Sequence, residues 1–320
     1  MSEADAKRRR VIFDTDPGQD DAVALLLAMA CPDLLDILAI VTVAGNVPLA
    51  KTTRNALQIL ELAQRRDIPL HAGCERGLMR GPPVTAEHVH GASGLDGADL
   101  PAPSRAAQAE HGVDYLCRLL TACPERSVTI CALGPLTNIA LALIRAPAIG
   151  RAIEEIVLMG GAWSEGGNVT PSAEFNIFAD PHAADIVFRS SIPLTMLPLD
   201  VTHQVLSTPA RLDALERLGN ATGRVVARML RASERFDRRK YAWPGAPLHD
   251  PCVVARLVAP EIFAGRQVNV RIETASQLCL GATVVDWWHV TDAPRNATFL
   301  REVDAGAFYD LLLDRLRGLP

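Results

Sequence analysis

The chain has 320 residues, of which 49% are apolar and 22% charged, with a net charge of −5. That length suits one large α/β domain or two ordinary ones, and the mild acidity excludes a general nucleic-acid binder, which would show a basic face. No apolar run reaches the length of a membrane span, and seven scattered cysteines without a CxxC pair predict reduced thiols in a cytoplasmic protein and no thiolate zinc site.

The basic run "AKRRR" at 6–10 reads as part of a flexible leader, residues 1–10, ahead of a single catalytic domain over 11–320. From there two kinds of segment alternate. Apolar, β-rich runs are "RVIFDT", "LDILAIVTVAG", "SVTICALG", "IEEIVLMGG" and "IPLTMLPLDVT". Helical patterns fall at 20–30, 48–65, 111–123, 136–145 and 180–190; in the second, Ala56, Ile59, Leu60 and Ala63 keep the 3.6 period. Buried strands alternating with amphipathic helices predict an α/β fold: an open, mostly parallel, Rossmann-like sheet covered by helices on both faces. Residues 74–105 interrupt the pattern with a long Gly/Pro-rich loop, of a kind that is either functional or disordered. One helical stretch is expected at 208–239, then a Pro/Gly loop running into another helix. A late strand pair in "QVNVRIET" and "ATVVDWW" and a helix at 305–317 complete the chain.

In open α/β sheets, ligands bind beyond the carboxyl ends of the strands. Four such ends carry polar or Gly-rich turns: "DTDPGQDD" at 14–21, "AGN" at 44–46, "LGPLTN" at 133–138 and "MGGAW" at 159–163. The first gathers Asp14, Asp16, Asp20 and Asp21 within eight residues. Carboxylates that close need a cation or protons, and an all-oxygen set suits a hard ion such as Ca²⁺ or Mg²⁺. Part of the cluster has a plainer reading, with Asp20 as a helix N-cap and Asp21 as a partner of the helix dipole. That leaves Asp14 and Asp16 unexplained. An EF-hand fits poorly, because the glycine is one place early, the distal Glu is missing and a strand precedes the loop. A haloacid-dehalogenase-type phosphatase, with Asp14 as nucleophile, also places a DxD after its first strand. Further on, "NVTPSAEFNIFADPHAAD" sets Asn168, Glu174 and Asn176 in one loop, a group suited to a polyhydroxylated ligand or simply a loop rich in turn formers. "ADPHAAD" is a plain helix start, and in "PLHDPCVV" Asp250 with Pro251 also reads as an N-cap and N1 pair beside His249.

Taken in order, "DTDPGQDDA", "AGN", "HGASGL", "GPLTNIA", "VLMGGA", "EFNIFADPHAA" and "HDPC" resemble the nucleoside hydrolase family, the inosine–uridine-preferring nucleoside N-ribohydrolases, over nearly the whole chain. No downstream Lys and acidic motif supports the phosphatase. The resemblance implies Ca²⁺-dependent hydrolysis of ribonucleosides to base and ribose, acting on pyrimidine nucleosides, inosine or both, by a homodimer or homotetramer. It implies that Asp16 is the general base and touches the metal, which Asp21, Asp250 and the Leu133 carbonyl also hold. Asp14 would support them from behind. Asp20 would bind the ribose 2′-hydroxyl, with Asn46 beside the ribose and the catalytic water. Asn168, Glu174 and Asn176 would hold the ribose hydroxyls with Met159 packed nearby, His90 would meet the base, and His249 would protonate it on departure. Tyr241 and Trp243, in the loop before His249, are candidates to stack on the base or relay a proton. Water attack at C1′ would pass through an oxocarbenium-like state and invert the anomeric carbon.

Overall fold

The computed structural model describes residues 8–320, except the side chains of 235–241. Most of the leader and the Tyr241 side chain therefore lie outside the described residues. Among the described residues eleven strands form: β1 (Arg9–Thr15), β2 (Leu35–Thr42), β3 (Leu70–Ala72), β4 (Val128–Ala132), β5 (Ile153–Met159), β6 (Leu194–Leu197), β7 (Leu206–Ser207), β8 (Ala246–Pro247), β9 (Phe263–Ile272), β10 (Thr283–Asp286) and β11 (Ala297–Val303). Nine make one open sheet in the order β10-β9-β11-β6-β5-β4-β1-β2-β3, and β7 pairs with β8. Within the large sheet only the β9 pairings, with β10 and β11, are antiparallel. Arg9 and Arg10, read from the sequence as leader, open β1.

The order reverses at β1. The chain leaves it toward β2 and β3 on one side and returns to β4, β5 and β6 on the other. This is the switch point where connections diverge and a crevice opens.

Strand alternation sorts the side chains there. Val11 and Phe13 join the core under helix Gln19–Met29, while Ile12 faces the core under helices Gly112–Ala122, Thr137–Arg145 and Pro181–Phe188. Asp14 follows Ile12 to its face and Thr15 follows Phe13. Helix Gln19–Met29 is buried on nearly every side, with Val23, Leu25, Leu26 and Leu27 at 1% exposure or less. Each such side chain stabilises by about 2 kcal/mol, which anchors the helix whose N-terminus carries Asp20 and Asp21.

One sequence expectation changes and two strands were not anticipated. The stretch 208–239 is two helices, Pro209–Glu216 and Ala221–Tyr241. Gly219, at φ +79°, turns the chain between them, and Asn220 Oδ1 accepts from Gly223 N at 2.8 Å to start the second. β3 is three residues long and carries a histidine, too short to show a period. β11, "ATFLREV", has charged residues where it runs out to solvent, which broke its apolar pattern.

Candidate active site

β1 ends at Thr15, and the turn Asp16-Pro17-Gly18 leads into helix Gln19–Met29. The N-cap is Gly18, not Asp20 as the sequence suggested. Asp21, three residues into the helix, reaches back to the turn. Its carboxylate accepts from Thr15 Oγ1 (2.5 Å), Asp16 N (3.2 Å), Gly18 N (3.0 Å) and Asn46 Nδ2 (2.9 Å). Asn46, beyond β2, also donates its backbone N–H to Asp16 Oδ2 at 2.7 Å and its amide to Asp16 O at 3.2 Å. The strand-end turns of β1 and β2 are thus tied into one unit. Gly45 and Gly134 lie so close to the Asp16 carboxylate that any side chain there would collide with it. On the other face, Asn138 Nδ2 donates to Asp14 Oδ2 at 2.9 Å and to Thr42 O at 3.1 Å, bracing Asp14 behind the crevice.

Within this cluster three buried carboxylate oxygens have no hydrogen-bond partner: Asp14 Oδ1, Asp16 Oδ1 and Asp20 Oδ1. Carboxylates in that condition hold protons or a cation. Burial raises Asp14 to about 7. Burial, then the Asp20 charge, raises Asp21 to about 6. Burial and neighbouring carboxylates drive Asp16 and Asp250 well above the ordinary range, and burial raises Asp20 as well.

Among the described residues, Asp20, Asp21 and Asp250 bring one oxygen each within 4.8 Å of one another. Asp20, read from the sequence as a sugar ligand, therefore stands with the carboxylates that could hold a metal. Asp250 sits at the N-cap of helix Pro251–Val258 but makes no side-chain capping hydrogen bond, so its carboxylate is left for the cluster. The donor set is all oxygen, anionic and partly unpartnered, which fits a hard divalent cation. The Leu133 carbonyl, the other expected ligand, accepts from Asn176 Nδ2 at 2.7 Å and retains a second lone pair.

Above the carboxylates lies a cavity of about 300 Å³, at the lower end of the size range of small-molecule sites. It is lined by Asp20, Asn46, His90, Leu133, Met159, Asn168, Glu174, Asn176, His249 and Asp250 of the expected set. Asp16 and Asp21, fully buried, lie one layer deeper, reached through Asn46. Glu174 caps helix Phe175–Ala179, accepting from Asn176 N (2.9 Å) and Ile177 N (3.3 Å), and also from Gly161 N (2.9 Å). Burial raises it to about 7 despite those bonds. Asn168 Oδ1 accepts from Phe175 N at 2.9 Å, which fixes the same loop.

His249 pairs through Nδ1 with Thr202 Oγ1 at 2.7 Å. Burial, with His203 and His90 nearby, pushes it down to about 3, so it is neutral at pH 7. Trp243 stands off the lining, packed edge-on to His203 at 4.9 Å between ring centroids.

The cavity also takes residues that motif reading passed over: Gln19, Ala86, His88, Val89, Val169, Phe175, His203, Leu230, Ser233 and Pro247. Thr202 and His203 follow the end of β6, so the strand-end rule applied once more would have found them. Leu230 and Ser233 come from helix Ala221–Tyr241 and carry no local signal.

The model of the inosine-uridine preferring nucleoside hydrolase family matches residues 11–310. The chain is 52% identical to an uncharacterised protein of Schizosaccharomyces pombe over 311 residues, 97% of this chain and 100% of that one. It is 47% identical to the pyrimidine-specific ribonucleoside hydrolase RihA of Photobacterium profundum, across 96% of this chain and 98% of that one. Among solved structures, a purine-preferring ribonucleoside hydrolase from Gardnerella vaginalis superposes with a TM-score of 0.90 at 30% identity, covering 97% of this chain and 98% of that one. The carboxylate-floored cavity at the switch point thus lies within the matched segment, and the chain belongs to the inosine-uridine preferring nucleoside hydrolase family.

Proposed function

We propose that the protein hydrolyses the N-glycosidic bond of pyrimidine ribonucleosides, with Ca²⁺ bound by the carboxylate floor. The observation that carries the chemistry is the unpartnered Asp16 Oδ1, buried beside Asp20, Asp21 and Asp250 under a pocket lined with ribose-type partners. The relatives named as pyrimidine-specific, at 47% identity over nearly the full length, support the substrate class.

Asp20, Asp21, Asp250, Asp16 and the Leu133 carbonyl would hold the cation, which when bound lowers the pKa of a coordinated water and fixes the sugar diol. Asp16 is the base. Asn46 occupies its Oδ2, so Oδ1 is the oxygen left to take the water's proton. Asn168, Glu174 and Asn176 orient the ribose, and the surrounding carboxylates stabilise positive charge developing on the ring as the bond to the base breaks. His249, neutral, donates from Nε2 to the departing base when the Thr202 hydroxyl donates to its Nδ1.

The test is a panel of uridine, cytidine, inosine, adenosine and guanosine in phosphate-free buffer, with free ribose measured. Ribose from uridine and cytidine well ahead of the purines is the expected result. Purine nucleosides cleaved faster would overturn the substrate class, and no ribose from any would overturn the activity.

A further inference from the structure

Gln19 is the one residue between Gly18 and the Asp20-Asp21 pair, and the roles given to the cluster leave it out. It is 1% exposed yet lines the cavity. Its Nε2 donates to the carbonyls of Asp96 at 3.3 Å and His90 at 3.5 Å, and its Oε1 meets His90 Nδ1 at 2.7 Å. Carbonyl oxygens only accept, so the amide has one consistent orientation, with its oxygen toward the histidine. His90 Nδ1 must then carry the hydrogen.

The surroundings hold this arrangement. A side chain at Gly18 would come within 2.6 Å of His90 Nδ1, so the glycine lets the ring close on the turn. Asn55 Nδ2 donates to both Pro17 O and Ser93 O at 2.9 Å, tying the aspartate turn to the loop after His90. Ala86 N donates to Asn46 O at 2.9 Å, fixing the loop before it.

We infer that Gln19 is a positioning residue that locks His90 in its Nδ1–H tautomer, so that His90 Nε2 is a hydrogen-bond acceptor and selects substrates that bring a donor to it. The inference rests on the ribonucleoside reading for the substrate and on geometry alone for the tautomer. His249 differs: its Nδ1 partner is a hydroxyl, which donates or accepts as required. Of these two pocket histidines, His90 is fixed and His249 is switchable. Two groups on a pyrimidine nucleoside could supply the donor, an N–H of the base or the ribose 5′-hydroxyl.

Long-range ¹⁵N–¹H NMR of the histidine rings in the full-length Ca²⁺-loaded protein at pH 7 reads the tautomer directly, without any variant. A protonated Nδ1 and bare Nε2 at His90 are expected, and a protonated Nε2 overturns the inference whatever the enzyme cleaves. Gln19→Met, close in size but without the amide, is expected to release the Nδ1–H preference and to raise KM for uridine about tenfold with kcat changed far less. A His90 ring that keeps its tautomer in that variant, or a loss confined to kcat, contradicts the lock. With the wild type, 3-methyluridine and 5′-deoxyuridine separate the two donors: whichever analogue loses the same KM factor names the group, and no loss on either overturns the selection.

Discussion

Two helices in this protein begin with the same dipeptide, Asp-Pro, and the two aspartates do different work. Asp180 starts helix Pro181–Phe188 and spends its carboxylate on the fold. It accepts from Ala183 N (3.1 Å), Thr137 Oγ1 (2.8 Å) and Leu78 N (2.8 Å). Asp250 starts helix Pro251–Val258 and caps nothing. Its carboxylate turns instead toward Asp20 and Asp21, where burial and like charge raise its proton affinity. A saturated carboxylate stabilises, and a crowded one is destabilising until a cation arrives. Sequence spacing cannot separate the two, because each pattern makes a good helix start.

The largest effect should come from the deepest member of the crowded set. Asp16→Asn keeps shape and the bond from Asn46 N but removes the proton acceptor, so kcat should fall on the order of 10³-fold or more, while Ca²⁺ binding, still carried by Asp20, Asp21 and Asp250, weakens but stays measurable by calorimetry. Residual turnover within tenfold of wild type would assign the base elsewhere. Asp250→Asn should lower kcat/KM by about 10²- to 10³-fold and weaken Ca²⁺ affinity in the same titration. An unchanged affinity would return Asp250 to the role of a plain cap.

The crowded carboxylates also predict a pH signature. Asp21 and Asp14, at about 6 and 7, bind protons more tightly folded than unfolded. A raised folded pKa gives stability that is complete below about pH 4 and lost as pH climbs through the folded values. In chelator, the thermal midpoint should therefore decline between pH 4 and 7 relative to the Ca²⁺-loaded protein, whose cation takes the protons' place. Parallel midpoint curves with and without Ca²⁺ would remove the cluster as the source. The smallest catalytic effect belongs to the other aspartate. Asp180→Asn should cost about 1–2 kcal/mol of stability in a denaturant titration and leave kcat within about twofold. A catalytic loss comparable to that of Asp250→Asn would erase the distinction.

What the sequence disclosed follows from which signals are local. The alternation of "RVIFDT" and its neighbours with helical patterns predicted the parallel sheet because buried strands and amphipathic helices each have their own period. The aspartate turn was legible because strand-end carboxylates are chemically conspicuous. Gln19 was not, although it sits inside that turn, because its partners at His90 and Asp96 lie more than 70 positions away. Asp20 showed a charge but not its neighbours, and only the fold brings it to Asp250. The cavity wall from helix Ala221–Tyr241 was illegible for the same reason: Leu230 and Ser233 are ordinary helix residues until packing turns them toward the floor.

The central claim is that this floor becomes a hydrolytic site by holding a divalent cation. The most direct test is the release of free ribose from uridine by protein stripped with chelator, before and after Ca²⁺ is restored. Turnover lost on stripping and regained with Ca²⁺ is the predicted result; full activity in the stripped protein, verified metal-free, would contradict it.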